Sequence, residues 1–123
     1  MLKDKVAYIT GGSKGIGFGI AKTLFDNGMK VAITSRNLSA AKEAASQIGH
    51  DATRVLALES DVSSMASEAA AVKAVIDHFG ALDVLVANAG VGHFASIEKL
   101  TEADWKATID TNLTGVFNSV KAS

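Results

Sequence analysis

The segment Thr10-Gly11-Gly12-Ser13-Lys14-Gly15-Ile16-Gly17 constrains the fold more than any other stretch of the chain. It follows an apolar, β-branched run from Val6 to Thr10. It precedes Ile16, Ile20, Leu24 and Phe25, which recur at helical spacing until Gly28 supplies a stop. A strand, a glycine turn and a helix in immediate succession let backbone N–H groups converge at a helix N-terminus, where the helix dipole favours an anion. Glycine is required wherever a Cβ would block an approaching phosphate or keep the helix off the sheet. Taken alone, the segment also fits a glycine-rich turn with no ligand.

The pattern then repeats. Lys30 to Thr34 reads as a second strand, and Leu38 to Ile48 as a helix ended by Gly49. Arg54 to Ser60 reads as a third strand. Ser63 or Ser64 can cap a third helix carrying Met65, Val72, Val75, Ile76 and Phe79 on one side, with Gly80 beyond its end. Leu82 to Ala87 is a fourth strand, apolar except for Asp83. Thr101 and Asp104 open a last helix lined by Trp105, Ile109, Leu113, Val116, Phe117 and Val120. Strands apolar on both faces and separated by helices predict a parallel sheet covered on both sides, with right-handed crossovers. No linker, low-complexity tract or longer repeat interrupts the series.

Charge and composition exclude several function classes. The 12 basic and 13 acidic side chains nearly cancel, so nothing favours nucleic acid or an anionic membrane surface. There is no cysteine, which removes disulfides and thiolate metal sites and is compatible with a cytoplasmic location. No apolar run approaches the roughly 18 residues that a membrane span needs. His50, His78 and His93 are far apart and lack ligand spacing, so no metal is expected.

The end of the second strand bears on which nucleotide a loop of this kind would take. A carboxylate there would accept hydrogen bonds from the ribose 2′-hydroxyl of NAD. The sequence is instead Thr34-Ser35-Arg36-Asn37. Ser35 can donate to a 2′-phosphate, Arg36 can pair with it or stack on adenine, and Lys14 can approach from the glycine loop. Either cation alone would read as a solvated surface charge; the two together favour NADP(H).

Four segments, spread over nearly the whole chain, together resemble the short-chain dehydrogenase/reductase family. The first is the Thr-Gly-x-x-x-Gly-x-Gly spacing of Thr10 to Gly17. The second is Asp61-Val62, which in the family sits against adenine. The third is Ala87-Asn88-Ala89-Gly90, similar to the family's Asn-Asn-Ala-Gly with alanine in first place. The fourth is Asp110-Thr111-Asn112-Leu113-Thr114-Gly115. The flavour is that of 3-oxoacyl-carrier-protein reductases. The resemblance implies a Rossmann-type three-layer α/β/α fold with a parallel sheet, truncated at strand order 3-2-1-4, over residues 1–123. It implies a nicotinamide dinucleotide cofactor contacted by Gly11, Ser13, Lys14, Gly15, Ile16, Gly17, Ser35, Arg36, Asp61, Val62, Asn88, Ala89 and Gly90. Read alone, Asp61 also suits a loop acid capping the next helix, Asn88 a structural tie between strands, and Asn112 a solvent-facing helical asparagine.

The family's chemistry is hydride transfer between the nicotinamide and a carbonyl or alcohol carbon. A tyrosine is the acid/base, a lysine four residues later lowers its pKa, a serine polarises the carbonyl, and a helix asparagine supports a proton relay. Asn112 matches the asparagine. Tyr8 is the only tyrosine and has Gly12 where that lysine would stand, so it is not the catalytic one. The expectation is therefore the nucleotide-binding half of an oxidoreductase, without the catalytic half and inactive alone, or else a non-catalytic NADP(H)-binding module or assembly fragment. A fourth strand of Val84-Leu85-Val86-Ala87 at the sheet edge is a template for pairing, so a second copy or a complementary chain is expected to cover it.

Overall fold

In the computed structural model, which describes residues 1–123, four strands and five helices alternate along the chain. They are β1 (Val6–Ile9), α1 (Gly15–Asp26), β2 (Lys30–Ser35), α2 (Leu38–Ile48), β3 (Val55–Glu59), α3 (Met65–Phe79), β4 (Val84–Val86), α4 (Glu102–Ile109) and α5 (Gly115–Ala122). A π-helical turn, Asp110–Thr114, joins α4 to α5. The sheet is parallel, in the order β3-β2-β1-β4, as the sequence implies.

Alternation along β1 sorts the core into two layers. Ala7 and Ile9 face α1 and α2, where they pack with Val31, Ile33, Ala21, Met29, Ala44 and Ile48. Val6 and Tyr8 face the other way and pack with Ala32 and with Ala71, Val72 and Val75 of α3. Helices cover both sides of the central strands, which is why those strands carry almost no polar residue.

Where the structure departs from the sequence-based expectation, side-chain hydrogen bonding or packing explains it. β4 is three residues long, not six, because polar side chains take over at both ends. The Asp83 carboxylate accepts from the Val6 amide at 2.8 Å, and the Thr10 hydroxyl accepts from the Asn88 and Ala89 amides at 3.0 Å. β3 is also shorter than expected: Arg54 and Ser60 lie outside it, although their backbones still bond to Val31 and Ser35 of β2. On α3, Met65 and Ile76 are exposed, and the buried stripe is Glu68, Ala71, Val72 and Val75. The largest correction concerns the last helix. It runs unbroken from Glu102 to Ala122 with a π-helical turn in its middle, and Trp105, Leu113, Val116, Phe117 and Val120 point outward, 38% exposed or more. Its buried face is Gly115, Asn118 and Ser119, small and polar residues seated against α3 and the Val62 loop.

Candidate nucleotide site

The C-terminal ends of all four strands open into one cleft of about 560 Å³. The direction of winding reverses between β1 and β4, and in open parallel sheets a crevice at such a reversal is where ligands bind. Four chain segments wall it. Gly11, Ser13, Lys14, Gly15 and Ile16 come from the β1–α1 loop; Ser35 and Arg36 come from the end of β2. Asp61 and Val62 follow β3, and Asn88, Ala89 and Gly90 follow β4. Asn37, Ala40, Ser60, Val91 and Thr111 complete the wall and were not among the residues singled out from the sequence. Asn37 was detectable as a helix cap. Thr111 had no signal of its own beyond its place beside Asn112.

The floor of the cleft suits an anion. Asn37, Ser64 and Thr101 cap α2, α3 and α4 with their side chains, whereas α1 has no side-chain cap and no acid in its first turn. Its first N–H groups therefore lack protein partners from that source. Gly15 has φ +60°, and a Cβ built on it would meet nothing within 4 Å, so both backbone conformation and space are kept open there. Gly17 behaves differently. It is buried and outside the cleft wall, and a Cβ on it would collide with the Asn88 amide and lie 2.6 Å from the Gly11 carbonyl oxygen. Its contribution is the close packing of α1 on the sheet, not a contact in the cleft. Ile16, expected on the apolar face of α1, is instead 78% exposed at the cleft mouth.

Asn88 clamps the two central strands. Its Nδ2 donates to the Thr10 carbonyl at 3.2 Å and the Gly11 carbonyl at 3.1 Å. Asn112 does the same for the next loop: its Oδ1 accepts from the Val91 amide and its Nδ2 donates to the Val91 carbonyl, both at 2.8 Å. The exposed asparagine is thus a two-point clip between the π turn and the loop after β4.

Charge in the cleft is mixed. Lys14 and Arg36 are exposed and in no ion pair, and β2 ends without a carboxylate. Asp61 is the one acid on the cleft wall. Its Oδ1 accepts from the Ser63 hydroxyl at 2.7 Å and the Ser63 amide at 2.9 Å. The Ser63 hydroxyl above all holds its carboxyl below the usual range; burial opposes it, and the Ser63 amide and the Arg36 charge add to the lowering. Tyr8 is fully buried in β1, with its hydroxyl donating to Glu68 at 2.7 Å, and is not part of the cleft wall. No group of three or more His, Asp or Glu side chains gathers as a metal site, and no helix is long and apolar enough to cross a membrane.

A parallel sheet with an uncapped helix N-terminus at its reversal point defines a dinucleotide-binding fold. The chain belongs to the short-chain dehydrogenase family, whose sequence model matches residues 5–123. It is 37% identical over 123 residues to a 3-oxoacyl-[acyl-carrier-protein] reductase of Chlamydia muridarum, covering 99% of this chain and 50% of that protein. It is 39% identical over 116 residues to D-threitol dehydrogenase of Mycolicibacterium smegmatis, covering 94% of this chain and 45% of that one. The crystal structure of the 3-ketoacyl-(acyl-carrier-protein) reductase from Brucella melitensis complexed with NADH superposes with a TM-score of 0.92. It shares 36% identity over 98% of this chain and 49% of its own. The chain spans about half the length of the curated relatives it matches.

Proposed function

We propose that the chain is the nucleotide-binding half of an NADP(H)-dependent oxidoreductase that interconverts a carbonyl and an alcohol. The single observation that carries the cofactor preference is Ser35-Arg36 at the end of β2, on the cleft wall, where the strand itself ends without a carboxylate. The cleft fits a dinucleotide: open space above Gly15 for the pyrophosphate, the uncapped start of α1 beneath it, and Arg36 and Lys14 for a 2′-phosphate. Asp61 and Val62 would meet the adenine, with Asn88, Ala89 and Gly90 lining the way toward the nicotinamide. The bound cofactor supplies the hydride acceptor or donor. Asn112 occupies the position of the family's relay asparagine. With both polar atoms on Val91, it keeps one amide hydrogen and one oxygen lone pair for a further partner.

Titration of the chain with NADPH and NADH tests this. NADPH is expected to bind more tightly, and Arg36→Asp to weaken it by about ten- to a hundred-fold while affecting NADH much less. Equal affinity for both cofactors in the unaltered chain would sink the NADP(H) assignment.

A second reading, a nucleotide-binding module without chemistry, is favoured by one feature. The only tyrosine, Tyr8, lies in the core and leaves the cleft without a phenolic acid/base. We accordingly expect no turnover of ketones by this chain with NADPH; a rate above that of a protein-free control would contradict it. We place the chain in the cytoplasm. We also propose that β4, an edge strand, and the outward Trp105, Leu113 and Phe117 are covered in solution. A second copy or the remaining segment of a longer protein would do so.

A further inference from the structure

Away from the cleft wall, one carboxylate is wholly buried. Glu68 of α3 has no exposed surface, and the four ion pairs of the chain all lie elsewhere. Its Oε2 accepts from the Tyr8 hydroxyl at 2.7 Å and the Ser60 hydroxyl at 2.5 Å, and its Oε1 accepts from the Ser119 hydroxyl at 2.7 Å. Those donors stand on β1, just after β3 and on α5. A carboxylate without a cation is among the groups that burial penalises most, and an apolar residue would fill the same place at less cost. Satisfying the Tyr8 hydroxyl needs only one acceptor. Glu68 gathers two more hydroxyls, and one of them belongs to the cleft.

That one is Ser60, which borders the cleft next to Asp61 and Val62. Its hydroxyl lies 3.1 Å from the Ser67 hydroxyl, which accepts from the Asp61 amide at 3.0 Å. From the other side, Asn118 Nδ2 donates to the Val62 carbonyl at 2.8 Å. Both ends of the 60–62 segment are thus tied to polar side chains of α3 and α5. We propose that Glu68 is a positioning residue for the cleft, fixing Ser60, Asp61 and Val62 where they meet the adenosine end of the cofactor. This rests on the dinucleotide reading given above. The role is geometric. In glutamine, the oxygen can serve Tyr8 and Ser60, and the amide nitrogen can donate to Ser119. The Ser119 hydroxyl already has the Gly115 carbonyl at 3.0 Å to donate to.

The test compares Glu68→Leu, Glu68→Gln and the triple replacement Tyr8→Phe/Glu68→Leu/Ser119→Ala in the full chain. Three quantities are read: the urea midpoint, calorimetric affinity for 2′,5′-ADP, and amide hydrogen exchange at residues 60–63 without ligand. Glu68→Leu is expected to weaken 2′,5′-ADP about ten-fold and to speed exchange at 60–63, with Glu68→Gln within about two-fold of the unaltered chain. The triple replacement, with an apolar core, is expected to regain the urea midpoint but not the affinity or the slow exchange. If it regains all three, the network only fills the core and the proposal fails. Should Glu68→Leu not fold, the triple replacement decides the matter through its affinity and its exchange at 60–63. An unaltered chain that does not bind 2′,5′-ADP would sink the NADP(H) reading, while exchange at 60–63 in the same variants still judges Glu68.

Discussion

Tyr8 is the residue at which sequence and structure give the most testable consequence. Burial, then the neighbouring Glu68, pushes its hydroxyl far above the usual tyrosine value of 10. The unfolded chain releases this proton near pH 10 and the folded chain holds it. The contribution to stability is therefore complete below pH 10 and is lost as pH rises beyond it, by up to about 1.4 kcal/mol per pH unit. Urea midpoints measured between pH 8 and 11 should fall more steeply for the unaltered chain than for Tyr8→Phe, and absorbance at 295 nm should report tyrosinate only on unfolding. Parallel pH profiles for the two chains would contradict the burial argument. Glu68 itself was legible in part. Its spacing from Ala71, Val72 and Val75 puts it on the buried stripe of α3, but a search for apolar residues passes over a glutamate at such a place.

Among the elements, those whose ends are set by short-range signals were the most legible. Asn37 and Ser64 each stand directly before a helix and cap it, and Gly80 adopts the left-handed conformation that ends α3. The sequence left Ser63 and Ser64 as equal candidates; the structure separates them, because the Ser63 hydroxyl is taken by Asp61. Ser64→Ala is therefore expected to lower stability by about 1 kcal/mol in urea titrations. Ser63→Ala should do less and instead raise the titration of Asp61 in carboxyl NMR. The reverse order would overturn the cap assignment. The inward face of α5 is hard to read because its buried positions, Gly115, Asn118 and Ser119, recur at helical spacing but are small or polar. The conspicuous apolar series lies on its other side. Periodicity locates a stripe; it does not say which of two stripes faces inward when the helix packs through backbone proximity. A Cβ on Gly115 would lie 2.6 Å from the Val62 side chain, so that closeness is what the small residue secures.

For the molecule as a whole, the layering and strand order were legible because each strand–helix unit carries its own punctuation and parallel crossovers have one hand. Most of the cleft wall was legible because it falls at the C-terminal ends of those strands; Ala40 and Thr111, which lie on helical segments, were not. What lay beyond the sequence were the long-range ties, Glu68 to Ser119 and Asn112 to Val91, which need the assembled fold to become neighbours. The exposed β4 edge and the outward aromatic residues of α4 and α5 lead to a prediction at this scale. Light scattering should give the chain a mass above that of a monomer, and Val84→Lys on the edge should reduce it without changing far-ultraviolet circular dichroism. A monomer at all concentrations would count against coverage of this face.

The position of the one tryptophan has a practical consequence. Trp105 is 59% exposed on α4 and is not part of the cleft wall. Its emission should stay red-shifted in an isolated molecule and move to shorter wavelength only when another surface settles over that helix. The chain thus carries a built-in optical reporter of association, to be read with the oxidised cofactor, whose absorption does not overlap tryptophan emission.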